Sequence, residues 1–184
     1  MGVMNFVFPI TALYFGPFAL ALYWRWGRAG RSGDRPWWVT ISIEVSHCGS
    51  GCALGDVISE FAIFALGLTI AGLTLGAEYV GDYILALAFG IVFQYFAIAP
   101  MRGLGLRDGL IAAAKADFIS LTAFEVGLFG WMAILTFVLF PSPNQLMPSS
   151  AAFWLLMQVG MIIGFATAWP ANVWLVRRGI KVPM

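Results

Sequence analysis

The sequence predicts an all-α integral membrane protein of five transmembrane helices, on three observations. First, the 184-residue chain is 61% hydrophobic and only 10% charged, against about 25% charged residues in an average soluble domain. So few charges would not cover the surface of a soluble protein. Second, the apolar residues gather in five continuous stretches near the ~20 residues a helix needs to cross a bilayer. None shows the period-two alternation of a membrane β-barrel. Third, the few charges are sorted by loop. Ten Lys and Arg face nine Asp and Glu, a balance that excludes a nucleic-acid binder, which needs a basic excess.

The expected spans are 3–24, 53–75, 80–101, 110–140 and 151–176. Arg25, Arg28, Arg31 and Arg35 follow the first; only Glu78 and Asp82 follow the second. Arg102 and Arg107 follow the third, with Lys115 inside the next span. The loop 141–150 is uncharged, and the tail carries Arg177, Arg178 and Lys181. Positive charge thus alternates with span number, and the positive-inside rule predicts an N-out, C-in protein of the inner (cytoplasmic) membrane. The first apolar stretch has no basic region before it and four Arg after it, which fits an uncleaved anchor helix better than a signal peptide. The expected organisation is an N-terminal anchor helix over 1–30, a cytoplasmic interfacial segment over 31–46 marked by Trp37 and Trp38, and a four-helix membrane domain over 47–184. The first helix is peripheral to that core bundle.

Ionisable side chains within spans cost roughly 2.5–3.5 kcal/mol each on insertion scales. This chain has Asp56, Glu60, Asp117 and Glu125, with Lys115 near one entrance. A purely structural network would balance its charges, and this one does not. With the second span entering from the cytoplasm near Ala53, Asp56 and Glu60 fall in its cytoplasmic half. On a helix, Cys48, Cys52, Asp56, Ser59 and Glu60 share one stripe, and Asp117, Leu121 and Glu125 a second. Two polar stripes at one depth should face each other rather than lipid.

The run His47-Cys48-Gly49-Ser50-Gly51-Cys52, then Gly55-Asp56, holds the chain's only His and both of its Cys. Two thiols and an imidazole suit a soft cation, copper or zinc. His47, Cys48, Cys52 and Asp56 are therefore the expected metal ligands. Glu60, Asp117 and Glu125 are the expected proton or ion relay, supported by Ser59 and Asn172. Two plainer readings stand beside this one: a Cys48–Cys52 disulfide, disfavoured in a reducing cytoplasm, and close helix packing through Gly51-x-x-x-Gly55. No nucleotide fingerprint is present, one His excludes bis-His haem ligation within the chain, and no nucleophile or phosphate site accompanies the acids. An enzyme using Asp117 and Glu125 as acid and base therefore ranks last. The leading expectation is a metal-handling membrane protein, with proton coupling. The alternative is a non-catalytic accessory subunit, its Phe and Trp packing on the helices or pigments of a larger membrane complex. Expected partners are membrane lipid, a metal ion, and that complex or further copies of the chain; no nucleic acid is expected.

At these residues the chain resembles the domain-of-unknown-function 4396 family of bacterial and archaeal membrane proteins. The resemblance rests on His47-Cys48-x-x-Gly51-Cys52-x-x-Gly55-Asp56, on Ala116-Asp117-Phe118-Ile119-Ser120 followed by Glu125, and on Pro170-x-Asn172-x-Trp174-Leu175-x-Arg177-Arg178-Gly179. It covers about 46–181. What it implies is a compact four-helix membrane domain; it supplies no mechanism.

Overall fold

The computed structural model describes residues 4–27 and 35–181. Six α-helices follow in order: α1 (Met4–Phe15), α2 (Pro17–Leu22), α3 (Trp37–Leu66), α4 (Thr74–Arg102), α5 (Leu106–Ile134) and α6 (Ala151–Arg177). Five-residue π-helical turns continue α2 (Tyr23–Gly27) and α5 (Leu135–Leu139). Among the described residues there is no strand beyond a single bridge, Ile70–Leu73, in the turn between α3 and α4.

Four helices are long and apolar enough to cross a membrane: α3, α4, α5 with its π-helical extension, and α6. At about 1.5 Å per residue each is about 40 Å or more in length, enough for a ~30 Å hydrocarbon core. α3 has the lowest mean hydropathy of the four (1.4 against 1.8–2.0) and the largest buried share. A helix that is less apolar yet more buried is covered by protein, not lipid, and α3 is the centre of the bundle. It packs most extensively on α4 and also touches α5 and α6.

The α3–α4 contact depends on absent side chains. A Cβ at Gly51 would meet the Gly90 backbone, and one at Gly55 the Ala86 backbone. Backbones approach closely wherever small residues line the seam. Gly67 and Gly103 end α3 and α4 in the left-handed conformation, with φ of 62° and 61°, which a glycine adopts without strain.

Chain direction puts the starts of α3 and α5 and the ends of α4 and α6 at one end of the bundle. Arg35, Arg102, Arg107, Arg177, Arg178 and Lys181 lie there, and it is called the basic end below. Arg28 and Arg31 fall outside the described residues.

Two expectations change. Residues 3–24 do not form one helix. Gly16 (φ 53°, ψ −128°) breaks the chain between α1 and α2, and the segment doubles back. The rings of Phe8 and Tyr23 stack edge-on at 5.0 Å, whereas in one straight helix they would be about 22 Å apart. Phe8 packs with Val39 and Ile43 at the start of α3, and Val7 with Ala97 near the end of α4. Trp26 meets Trp38 at 5.3 Å. Both ends of this hairpin therefore lie at the basic end, with its turn at depth, where Phe15 contacts Phe165 of α6 at 4.7 Å. The segment is thus a helical hairpin rather than the single long helix expected, because Gly16-Pro17 breaks the helix.

The second change is the start of the next span. α3 begins at Trp37, not near Ala53, and the expected interfacial residues 37–46 are its first turns. Val39, Ile41, Ile43, Glu44 and Val45 are buried there. The polar run 46–52 lowers the local hydropathy and hides these turns. With α3 extended, Asp56 and Glu60 lie in the half of the helix away from the basic end, not in the half near it.

Candidate functional site

On α3, Glu44, Cys48, Cys52, Asp56 and Glu60 recur at i, i+4 spacing and are all buried. A four-residue step advances about 40° around the helix, so they form one stripe, about 24 Å long, that winds about 160° around α3 from Glu44 to Glu60. On α4, Glu78, Asp82, Ala86 and Gly90 repeat the pattern, and on α5 so do Asp117, Leu121 and Glu125. The stripes face one another across the bundle interior, and the acids form a file along its axis.

From the basic end, the first layer holds Glu44, Lys181 and Asn172. The Lys181 ammonium donates to the Glu44 carbonyl (3.0 Å) and to Asn172 Oδ1 (2.9 Å), and lies 3.8 Å from Glu44 Oε2. Asn172 Nδ2 donates to Ser120 Oγ (2.7 Å), which lies 2.8 Å from Cys48 Sγ. In the next layer the Cys48 thiol faces Asp117, whose carboxyl fills the space a side chain at Gly90 would take. Then the Cys52 thiol faces Glu125, and Asp56 adjoins Glu125, Asp82 and Glu60. Ser59 approaches Asp82, its hydroxyl lying over Gly81. Glu78 ends the file and lines a cavity of about 170 Å³ with Phe64, Thr136, Gln145 and Met147 at the opposite end. From the side, α1 places the Tyr14 hydroxyl against Gly49, where a Cβ would collide with it.

Apart from these approaches by Cys48, Cys52 and Ser59, the carboxyl oxygens of Asp56, Glu60, Asp82, Asp117 and Glu125 have no hydrogen-bond partner among the described residues. Six acids are buried on the file (Glu44, Asp56, Glu60, Asp82, Asp117 and Glu125), while the buried lysine is Lys181. The expected nearby cation, Lys115, is exposed on the outside of α5, and the lysine on the file comes from the tail instead.

The expected relay residues Glu60, Asp117 and Glu125 are all on the file, with Asp56 among them. Ser59 lies beside Asp82 on the file, and Asn172 sits in the basic-end layer, apart from Asp56 and Glu60. The expected metal ligands do not meet as a set. Cys48 and Cys52 turn to different carboxyls. His47, one residue off the stripe, places Nδ1 3.1 Å from the Ile43 carbonyl. Among the described residues, no group of three His, Cys, Asp or Glu side chains has the arrangement of a metal site. Both cysteines are free. Gly51 and Gly55 take the packing role weighed for them.

Sequence reasoning missed Glu44, Glu78, Asp82, Ser120 and Lys181. The i, i+4 series back from Asp56 would have found Glu44. Placing α4 from Thr74 rather than from Val80 would have found Glu78 and Asp82. Nothing in the pattern singles out Lys181, since it lies past the helix beside two ordinary basic residues.

The fold and site define a polytopic helical membrane protein built on a buried file of acids. Residues 37–181 match the model of a family described as Domain of unknown function (DUF4396), and the chain belongs to that family. The match begins at the first residue of α3 and ends at Lys181, so it takes in the bundle and the whole file and leaves out the α1–α2 hairpin. No curated protein and no solved structure matches the chain.

Proposed function

We propose that this chain is a membrane transport protein whose carboxylate file passes protons, and through them exchanges cations, along the bundle axis. The carrying observation is the file itself: six buried acids in successive layers, with one buried lysine. Acids inside a membrane bundle that are not balanced by cations are the usual mark of proton relays and ion pathways. Each carboxyl on such a file accepts a proton from one neighbour and gives one to the next, so neither charge nor protons accumulate. The basic end is the cytoplasmic end by the positive-inside rule, which puts the cavity at Glu78 on the outer face of the inner membrane. On this reading the two described ends of the chain, Met4 and Lys181, which both lie at the basic end, are cytoplasmic, in place of the expected N-out arrangement.

Reconstitution into liposomes with an internal pH dye tests this reading. The wild-type chain should dissipate an imposed pH gradient, and Asp56→Asn or Glu125→Gln should slow it at least tenfold. Dissipation no faster than in protein-free liposomes, with and without copper or zinc present, would overturn the proposal.

A second reading has its own observation. Both thiols face a carboxyl, Cys48 with Asp117 and Cys52 with Glu125, and thiolates select soft cations. Copper or zinc would then be the cargo, handed from one thiol–carboxyl pair to the next rather than held by His47, Cys48, Cys52 and Asp56 together. Elemental analysis decides it: copper or zinc retained by the wild type and lost in Cys48→Ser plus Cys52→Ser supports it, and equal metal content in both refutes it.

A further inference from the structure

Lys181 lies beyond the last helix, yet its side chain is fully buried. The backbone explains how. α6 ends at Arg177, Gly179 takes φ 69°, and the amides of Ile180 and Lys181 both return to the Leu175 carbonyl (3.1 and 3.3 Å). This left-handed cap reverses the chain and aims Lys181 back into the bundle. Arg177 and Arg178, on the same tail, stay exposed. A tail anchored by charge alone would need only surface pairs; burying an ammonium costs several kcal/mol unless well-placed oxygens receive it. Here they do: the Glu44 carbonyl, Asn172 Oδ1 and, at 3.8 Å, the Glu44 carboxylate. Through Asn172 and Ser120 the same amine is linked to Cys48, which stands beside Asp117.

We propose that Lys181 is a tethered cation that closes the file at the basic end, so that the file reaches that side of the membrane only when the ammonium leaves Glu44 and Asn172. The proposal rests on reading the file as a transport path and supplies its gate. Two effects close the path together. The side chain fills the mouth, and its fixed positive charge repels any mobile cation approaching from that side, as cationic side chains do in other pores. The family match extends as far as Lys181, so the gate lies within the shared domain.

Cys48 lies behind the lysine and is a native reporter. In a Cys52→Ala background, the purified chain in nanodiscs is treated with a water-soluble, positively charged methanethiosulfonate reagent, and Cys48 modification is timed by mass spectrometry. Lys181→Ala should speed modification at least tenfold, 50 mM methylammonium should slow it again by refilling the oxygen site, and Arg178→Ala should leave it unchanged. Melting temperature checks that each variant is folded; should Lys181→Ala not fold, Lys181→Met is measured in the same way. Fast modification with Lys181 intact, or equally slow modification in a folded Lys181 variant, would overturn the gate. The readout needs no transport: an inert wild type in the liposome assay removes the transport reading, while pH-gradient dissipation with unchanged Cys48 protection removes only the gate.

Discussion

Asn172 carries more of the bundle than its size suggests. Its amide donates to Ser120 Oγ and to the Ala168 carbonyl, and its carbonyl oxygen receives Lys181. Asn172→Ala leaves a buried ammonium and a buried hydroxyl short of partners, and each such group costs about 1–3 kcal/mol. The variant should melt several degrees lower than the wild type in detergent, and an unchanged melting temperature would show that water takes over the lost bonds. On α5, the thiol–carboxyl pairs make a sharper prediction. If Glu125 relays protons beside Cys52, Cys52→Ala should leave most of the pH-gradient dissipation intact while Glu125→Gln abolishes it, since a thiol adjoining the file is dispensable and a carboxyl in it is not. Equal loss in both variants would instead favour the soft-cation reading.

At the scale of elements, the α3–α4 seam holds the acid stripes in register. Gly51 and Gly55 meet the backbones of Gly90 and Ala86, so a larger side chain has no flexible neighbour to displace. Gly55→Leu should force the helices apart; overpacking alone typically costs 1–3 kcal/mol, and here the obstacle is main chain. The expected result is a lower yield of monodisperse protein and a lower melting temperature. Gly130 faces open space, so Gly130→Leu should change neither. The same seam shows why the motif 47–56 admitted two readings. Its cysteines and Asp56 lie on the file, while Gly51 and Gly55 lie on the α4 side, and one helical stretch serves both because successive residues turn by 100°.

For the whole molecule, the N-terminal hairpin and the four long helices put the described ends of the chain on one side. Reporter fusions should therefore give a cytoplasmic signal at both termini and an external signal from a fusion at Asn144, in the loop between α5 and α6. An external N-terminal signal would restore a fifth crossing and overturn the hairpin. The cavity beside Glu78 and the Lys181 layer sit at opposite ends of the file, which is the arrangement expected of a path resting closed at the basic end.

Membrane residence, the all-helical class and the charge asymmetry between the two ends were legible in the sequence, because burial in lipid acts on each stretch of chain independently and leaves its mark on composition. Asp56, Glu60, Asp117, Glu125 and Asn172 were legible for the same reason: a polar side chain in an apolar run stands out without knowledge of its neighbours. The start of α3, the fold-back at Gly16 and the membership of Glu44, Asp82 and Lys181 in the file were decided only by the tertiary structure. A buried helix need not be apolar where protein covers it, so hydropathy started α3 too late. A helix break shows its consequence only once Phe8 meets Tyr23. Lys181 reaches Glu44 across nearly the whole length of the family domain, a contact that depends on how four helices pack and that no local pattern encodes.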